Sequence, residues 1–152
     1  GPLARDDIYV YEQGDGASPN ALLESFKATE RAVLLGTKSF WEGVDVPGDS
    51  LSVVVITKLP FDVPTDPLIA ARSETYEDSF NQYYLPEAIL KFRQGFGRLI
   101  RTASDRGVVV ILDRRVLTKQ YGRMFLESLP PCTARQGPAS NLPREAGSWL
   151  GM

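Results

Sequence analysis

Apolar positions along this chain switch between short continuous runs and helical spacing, and the switches mark out an alternating order of elements. Ile8-Tyr9-Val10-Tyr11 is a β-branched and aromatic run that stops at Gly14-Asp15-Gly16, which predicts a strand and a turn. Ser18 offers an N-cap with Pro19 at the first helical position. Leu22, Leu23 and Phe26 follow at helical spacing, so a helix is predicted from Pro19 to Thr29. Ala32–Gly36 reads as an apolar strand, and Thr37–Gly48 as a loop-rich stretch. Leu51–Thr57 is almost continuously apolar, as expected of a strand covered on both faces of a parallel sheet. Lys58–Pro67 holds three prolines and predicts an extended loop. From Asp66 to Arg101 the pattern is helical, with a break expected near Pro86. Gly107–Leu112 is a further buried strand and Leu117–Leu129 a closing helix.

Strands separated by helices predict an α/β fold, a parallel sheet with helices on both faces. From Pro130 the composition turns to Pro, Gly, Ser and Ala, which predicts one domain over 1–129 and a flexible tail over 130–152. At 152 residues the chain suits a single core. Its apolar runs are too short for a membrane-spanning helix. One cysteine and no recognisable secretory signal fit a cytoplasmic location. The absence of histidine removes His-based triads and zinc sites, so no metal site is expected. Gly1-Pro2-Leu3 lacks an initiator Met, as in a piece cut from a larger protein.

The net charge of −2 argues against a general polyanion binder, but the charges are segregated. Nine of the 17 Lys and Arg lie between Lys91 and Arg123, beside only Asp105 and Asp113. Such a block suits either a local anion site or a solvated helix face, and charge alone weighs the two equally.

Two segments carry candidate chemistry. In Gln94-Gly95-Phe96-Gly97-Arg98-Leu99-Ile100-Arg101, a helical repeat puts Gln94, Gly97, Arg98 and Arg101 on one side. Ile89, Phe92, Phe96, Leu99 and Ile100 fall on the other. Two arginines and an amide, with glycine clearing space, form a clamp for dispersed negative charge. The same pattern also fits an amphipathic helix end with solvated arginines. Two glycines inside a helix cost roughly 1 kcal/mol each, which suggests that something approaches closely there. The second segment, Gly36–Gly48, leaves a strand at the end where ligands of α/β sheets sit. Thr37, Lys38 and Ser39 offer hydroxyls, a cation and N–H groups to phosphates. Glu42 and Asp45 can accept from ribose hydroxyls or orient an arginine, or simply cap a short helix.

Thr37–Gly48 resembles motif V, and Gln94–Arg101 motif VI, of superfamily 2 helicases. Phe40-Trp41-Glu42-Gly43-Val44-Asp45 together with Gln94-x-x-Gly97-Arg98-x-Ile100-Arg101 is similar to the DinG/XPD branch. Lys58-Leu59-Pro60-Phe61, Asp66-Pro67-Leu68 and Tyr84-Leu85-Pro86-Glu87-Ala88 point to its bacterial DinG side. The resemblance runs from about Ile8 to Leu129. It implies a second RecA-like motor domain, truncated at its N-terminus, of an ATP-dependent DNA helicase acting in DNA repair or replication.

By the same resemblance Arg101 matches the arginine finger, Arg98 a second γ-phosphate contact, and Gln94 the motif VI amide, with Gly97 beside it. Glu42, Gly43 and Asp45 match positions near the nucleotide. Thr37 and Ser39 match contacts to a single-stranded DNA backbone, to which Lys38 and Lys58 are added. ATP with magnesium would sit against the first RecA-like domain, which brings the phosphate loop and the metal-binding acid; neither motif is in this sequence. Two alternatives stand beside the motor: a nucleic-acid-binding module without motor function, and part of a DinG-like nuclease.

Overall fold

A computed structural model describes residues 6–14, 16–37, 51–99 and 106–151. The chain divides into two units, Gly1–Ser50 and Leu51–Met152, each considered by itself.

In the first unit, β1 (Tyr9–Glu12) and β2 (Ala32–Leu35) pair in parallel, Tyr9 opposite Ala32 through Glu12 opposite Leu35. Parallel strands need a crossover, and α1 (Pro19–Lys27) supplies it. The helix starts where the sequence predicts: the Ser18 hydroxyl accepts the Ala21 N–H, and Pro19 occupies the first turn, where no N–H is needed. Leu22, Leu23 and Phe26 are buried as α1 packs on the two strands. Across the crossover, the Tyr11 and Thr29 hydroxyls lie 2.7 Å apart.

In the second unit, β3 (Val53–Ile56) and β4 (Val108–Ile111) form another parallel pair, Val53 opposite Val108 through Ile56 opposite Ile111. The crossover contains α2 (Pro67–Ser73), a π-helical turn (Phe80–Tyr84) and α3 (Leu85–Leu99). Asp66 caps α2, its carboxylate accepting the N–H groups of Leu68 and Ile69. The core gathers Ile56, Leu59, Phe92, Phe96, Val110 and Phe125. Phe92 meets Phe125 edge to face at 5.3 Å, and both are fully buried. Burial of each such ring contributes about 1.5–3 kcal/mol.

The α/β class and the parallel pairing agree with the sequence, but the described residues form two two-stranded sheets rather than one. Val53 and Val55, expected under cover on both faces, are 37% and 52% exposed. The long helical stretch breaks at residues 74–78, not at Pro86, which sits in the first turn of α3. The turn just before Pro86 widens: Leu85 N–H reaches back to Phe80, and the ring nitrogen that follows has no proton to give.

The closing helix is split into α4 (Arg115–Thr118) and α5 (Gly122–Glu127). Lys119 takes extended backbone between them, and Gly122 is pressed so tightly onto α4 that a Cβ there would overlap the carbonyl oxygens of Arg115 and Val116. Residues 130–151 contain a 3-10 turn (Ala139–Asn141) and α6 (Leu142–Leu150), which packs against β4. Arg106 lies over the Trp149 ring, 5.7 Å from its centroid, and donates to the Trp149 carbonyl at 3.2 Å. Among the described residues no helix is long and apolar enough to cross a membrane.

Candidate functional site

Helix α3 carries the first group of candidates. Gln94 and Gly97 are exposed, while Phe92 and Phe96 are buried, so the helix presents the polar side that its periodicity predicts. Among the described residues nothing lies within 4 Å of where a Gly97 Cβ would be, leaving open space beside the helix. Arg98 continues the same helix, although its side chain lies outside the described residues. Arg101 lies outside them altogether, as do Lys38, Ser39, Glu42, Gly43 and Asp45.

The middle of α3 is held by a buried ion pair that periodicity cannot reveal. Lys91 Nζ donates to Asp62 Oδ2 at 2.6 Å, with side chains only 11% and 2% exposed. Lys91 therefore does not belong to a solvated basic face. The pair ties the Lys58–Pro67 loop to the helix one turn ahead of Gln94. Phe61 in that loop stacks on Phe80 and meets Phe125 edge-on.

The second group lies where β3 and β4 end. Lys58 is exposed just beyond β3, and the N–H of the next residue, Leu59, donates to Asp113 Oδ2 at 2.8 Å. Arg115 grips the same carboxylate: Nη2 to Oδ2 at 2.6 Å, and Nε to both oxygens at 3.0 Å. The Asp113 carboxyl is held well below the usual carboxylate range, first by the Arg115 side chain and then by the Leu59 N–H, against the opposing effect of burial. Pairing with Asp113 correspondingly raises the Arg115 guanidinium above its ordinary value. The guanidinium also covers Phe61, 5.4 Å from the ring centroid. A shallow depression of about 530 Å³ opens here, lined by Thr57, Lys58 and residues 112–115.

Thr37 lies at the end of β2 in the first unit. Its N–H and its hydroxyl both donate to Gln13 Oε1, at 3.3 and 2.6 Å. Gln13, which the sequence did not single out, follows β1, and its own N–H bonds to Leu35. The structure thus gathers Gln94, Gly97 and Arg98 on one helix, fastens the Lys58 loop to it, and places Thr37 at a strand end of the other unit. Among the described residues no group of three His, Cys, Asp or Glu is arranged to hold a metal ion.

The described residues form a parallel α/β fold with an amide and a glycine exposed on one helix face and cations at its strand ends. Its family follows from comparison: residues 3–132 match the helicase C-terminal domain, and the chain belongs to that family. The chain is 46% identical over 145 residues to the 3'-5' exonuclease DinG of Bacillus subtilis, covering 92% of this chain and 16% of that protein. It is 51% identical over 126 residues to the ATP-dependent DNA helicase YoaA of Escherichia coli, covering 80% and 20%. It is 46% identical over 123 residues to the ATP-dependent helicase DinG of Mycobacterium tuberculosis, covering 78% and 18%. The chain therefore spans about a fifth or less of the length of these relatives.

Proposed function

We propose that this chain acts as the C-terminal, RecA-like motor domain of a longer ATP-dependent DNA helicase, cytoplasmic and engaged in DNA repair or replication. In it, ATP hydrolysis drives translocation on single-stranded DNA and duplex unwinding. The observation that carries the reading is the exposed face of α3, where Gln94 and Gly97 leave open space beside a helix that continues into Arg98. An exposed amide and an unobstructed glycine, with two arginines three positions apart in the sequence, suit the phosphates of a nucleotide held against another domain.

In this assignment Arg101 is the finger that meets the charge on the transferring phosphoryl group, with Arg98 as a second contact. Gln94 and Gly97 line the nucleotide, together with Glu42, Gly43 and Asp45. The exposed Gln94 amide and the open space at Gly97 leave room for the phosphate part of ATP, and among the described residues no set of metal ligands occurs. Magnesium is assigned, as the family resemblance implies, to the first RecA-like domain of the same longer chain. Thr37, Lys38, Ser39 and Lys58 take the DNA backbone, which they would hold without reading sequence. Motif V would then touch both ligands, which gives ATP a route to alter the grip on DNA.

The relative named as an exonuclease shares only 16% of its length with this chain, so its name need not describe this segment. A non-motor binding module stands as the other alternative, and turnover separates it from the motor. The isolated 152-residue chain is expected to show no DNA-stimulated ATP hydrolysis. A longer chain that carries this segment after a first RecA-like domain is expected to show it. Turnover by the isolated chain, or none by the longer one, would overturn the proposal.

A further inference from the structure

Two neighbouring cations at the strand ends have no role in the buried network beneath them. Lys58 and Arg114 are both exposed, and among the described residues neither forms an ion pair. Asp113, which precedes Arg114 and accepts the N–H that follows Lys58, cannot neutralise them readily. Both of its oxygens already accept from Arg115, and one also takes the Leu59 N–H. Among the residues lining the depression, three are cationic and one anionic, and the one anion is spent on one of the three.

The same carboxylate fixes where the two remaining cations stand. It fastens the backbone immediately after Lys58 and immediately precedes Arg114, so both side chains start from points held together by Asp113. The backbone of Arg114 is further set by its carbonyl, which accepts from the N–H groups of Leu117 and Thr118 and from the Thr118 hydroxyl. Anchored backbones lower the ordering cost of bringing two long side chains to one ligand. Thr57 adds an exposed hydroxyl, and Leu112, 45% exposed, an apolar surface in the same depression. A shallow open trough with two cations, a hydroxyl and an apolar patch suits a polymer backbone that passes across it. Its open form suits a passing strand better than a small molecule, which is held by enclosure.

We infer that the depression at the carboxyl ends of β3 and β4 is a phosphate subsite for single-stranded nucleic acid, with Arg114 and Lys58 as its paired cations. The inference rests on the DNA-binding part of the function proposed above and extends it to Arg114, Thr57 and Leu112, which the sequence did not single out. The site reads no base sequence. Leu112 meets the sugar or base edge beside the bound phosphate, while Asp113 and Arg115 are positioning residues that do not touch the strand.

The test is a fluorescence-anisotropy titration of the 152-residue chain with an oligothymidylate of about twelve nucleotides, at several salt concentrations. Arg114→Gln is compared with Arg72→Gln, which removes the same charge from an exposed position on α2. Loss of one phosphate contact should flatten the salt slope by about 0.7, which is about fivefold in affinity at 0.1 M salt. Lys58→Gln should do the same, and the double variant about twice as much. Arg72→Gln should leave the slope unchanged, and circular dichroism checks that each variant is folded. An oligothymidylate with neutral methylphosphonate linkages should not distinguish Arg114→Gln from the parent chain.

If the parent chain binds and Arg114→Gln behaves like Arg72→Gln, the subsite is overturned while DNA binding by the domain stands. If the parent chain fails to bind even at low salt, the DNA reading falls and takes the subsite with it. Displacement of the oligonucleotide by ATP from the parent chain, but not from Arg114→Gln, would overturn the inference by showing a nucleotide site.

Discussion

Replacing Lys91 by Met should cost this domain a large part of its stability, and the pair with Asp62 sets the size. The ammonium and carboxylate are 2.6 Å apart, with Asp62 only 2% exposed, so water cannot take over the solvation of the carboxylate when the cation is removed. Breaking a buried pair from one side costs about 3–5 kcal/mol. Methionine keeps most of the aliphatic stem, so the loss reports the charge rather than a cavity. Set against the 5–15 kcal/mol typical of a folded domain, this is about a fifth of the total or more. Urea unfolding followed by circular dichroism reads it directly. With an m-value of about 1.5–2 kcal/mol/M for a domain of this size, the midpoint should fall by about 2 M. The double variant Asp62→Asn, Lys91→Met removes both charges, and a double-mutant cycle with the two single variants reads the coupling between them, expected at about 1 kcal/mol or more. A loss below about 1 kcal/mol in the single variant, or a coupling near zero in the cycle, would refute the reasoning.

Gly122→Ala should destabilise the domain by about 1–3 kcal/mol, because the new methyl overlaps the carbonyl oxygens of α4; an unchanged urea midpoint would show that α4 and α5 are not so closely packed. Gly97→Ala should act in the other direction, raising stability by about 0.5–1 kcal/mol, since Ala suits a helix interior and nothing described lies in its way; a loss in the same assay would mean that something packs there. Asp113 makes the domain acid-sensitive. Its carboxyl lies below the ordinary value when folded, so its contribution is complete above about pH 5 and is lost as pH falls through about 4 and lower. Asp113→Asn should therefore flatten the fall in urea midpoint between pH 5 and pH 3, in the manner of a group ordinarily near pKa 3.9, and an equally steep fall in both proteins would count against the assignment.

How much of this the sequence shows depends on the range of the interaction. The two sides of α3 are legible because neighbours three and four residues apart share a face: Phe92 and Phe96 are in, Gln94 and Gly97 out. The Ser18 cap with Pro19 is equally local. Lys91 is not legible in this way. Its partner Asp62 lies 29 residues earlier, and only the fold reveals that a member of the basic block is buried. Asp113 and Leu59 are 54 residues apart, so the tether beneath Lys58 and Arg114 is equally hidden.

The break between α4 and α5 falls at no proline, and the close approach at Gly122 is a tertiary fact. α6 could have been found. Pro143 stands in its first turn, and Gly151 follows its end with φ 81°, the usual start and stop signals of a helix. The bias of the segment toward Pro, Gly, Ser and Ala outweighed them.

The measurement that bears most directly on the central claim is steady-state ATP turnover, at saturating single-stranded DNA, by the longer chain carrying this domain, with Arg101 changed to Ala. A finger arginine supplies about 10³–10⁵ in rate, so turnover should fall by that factor while DNA binding is kept. Arg101→Lys should recover little, because a point charge lacks the planar fork of the guanidinium. Near-normal turnover in Arg101→Ala would contradict the claim that this domain supplies the finger to the ATP site.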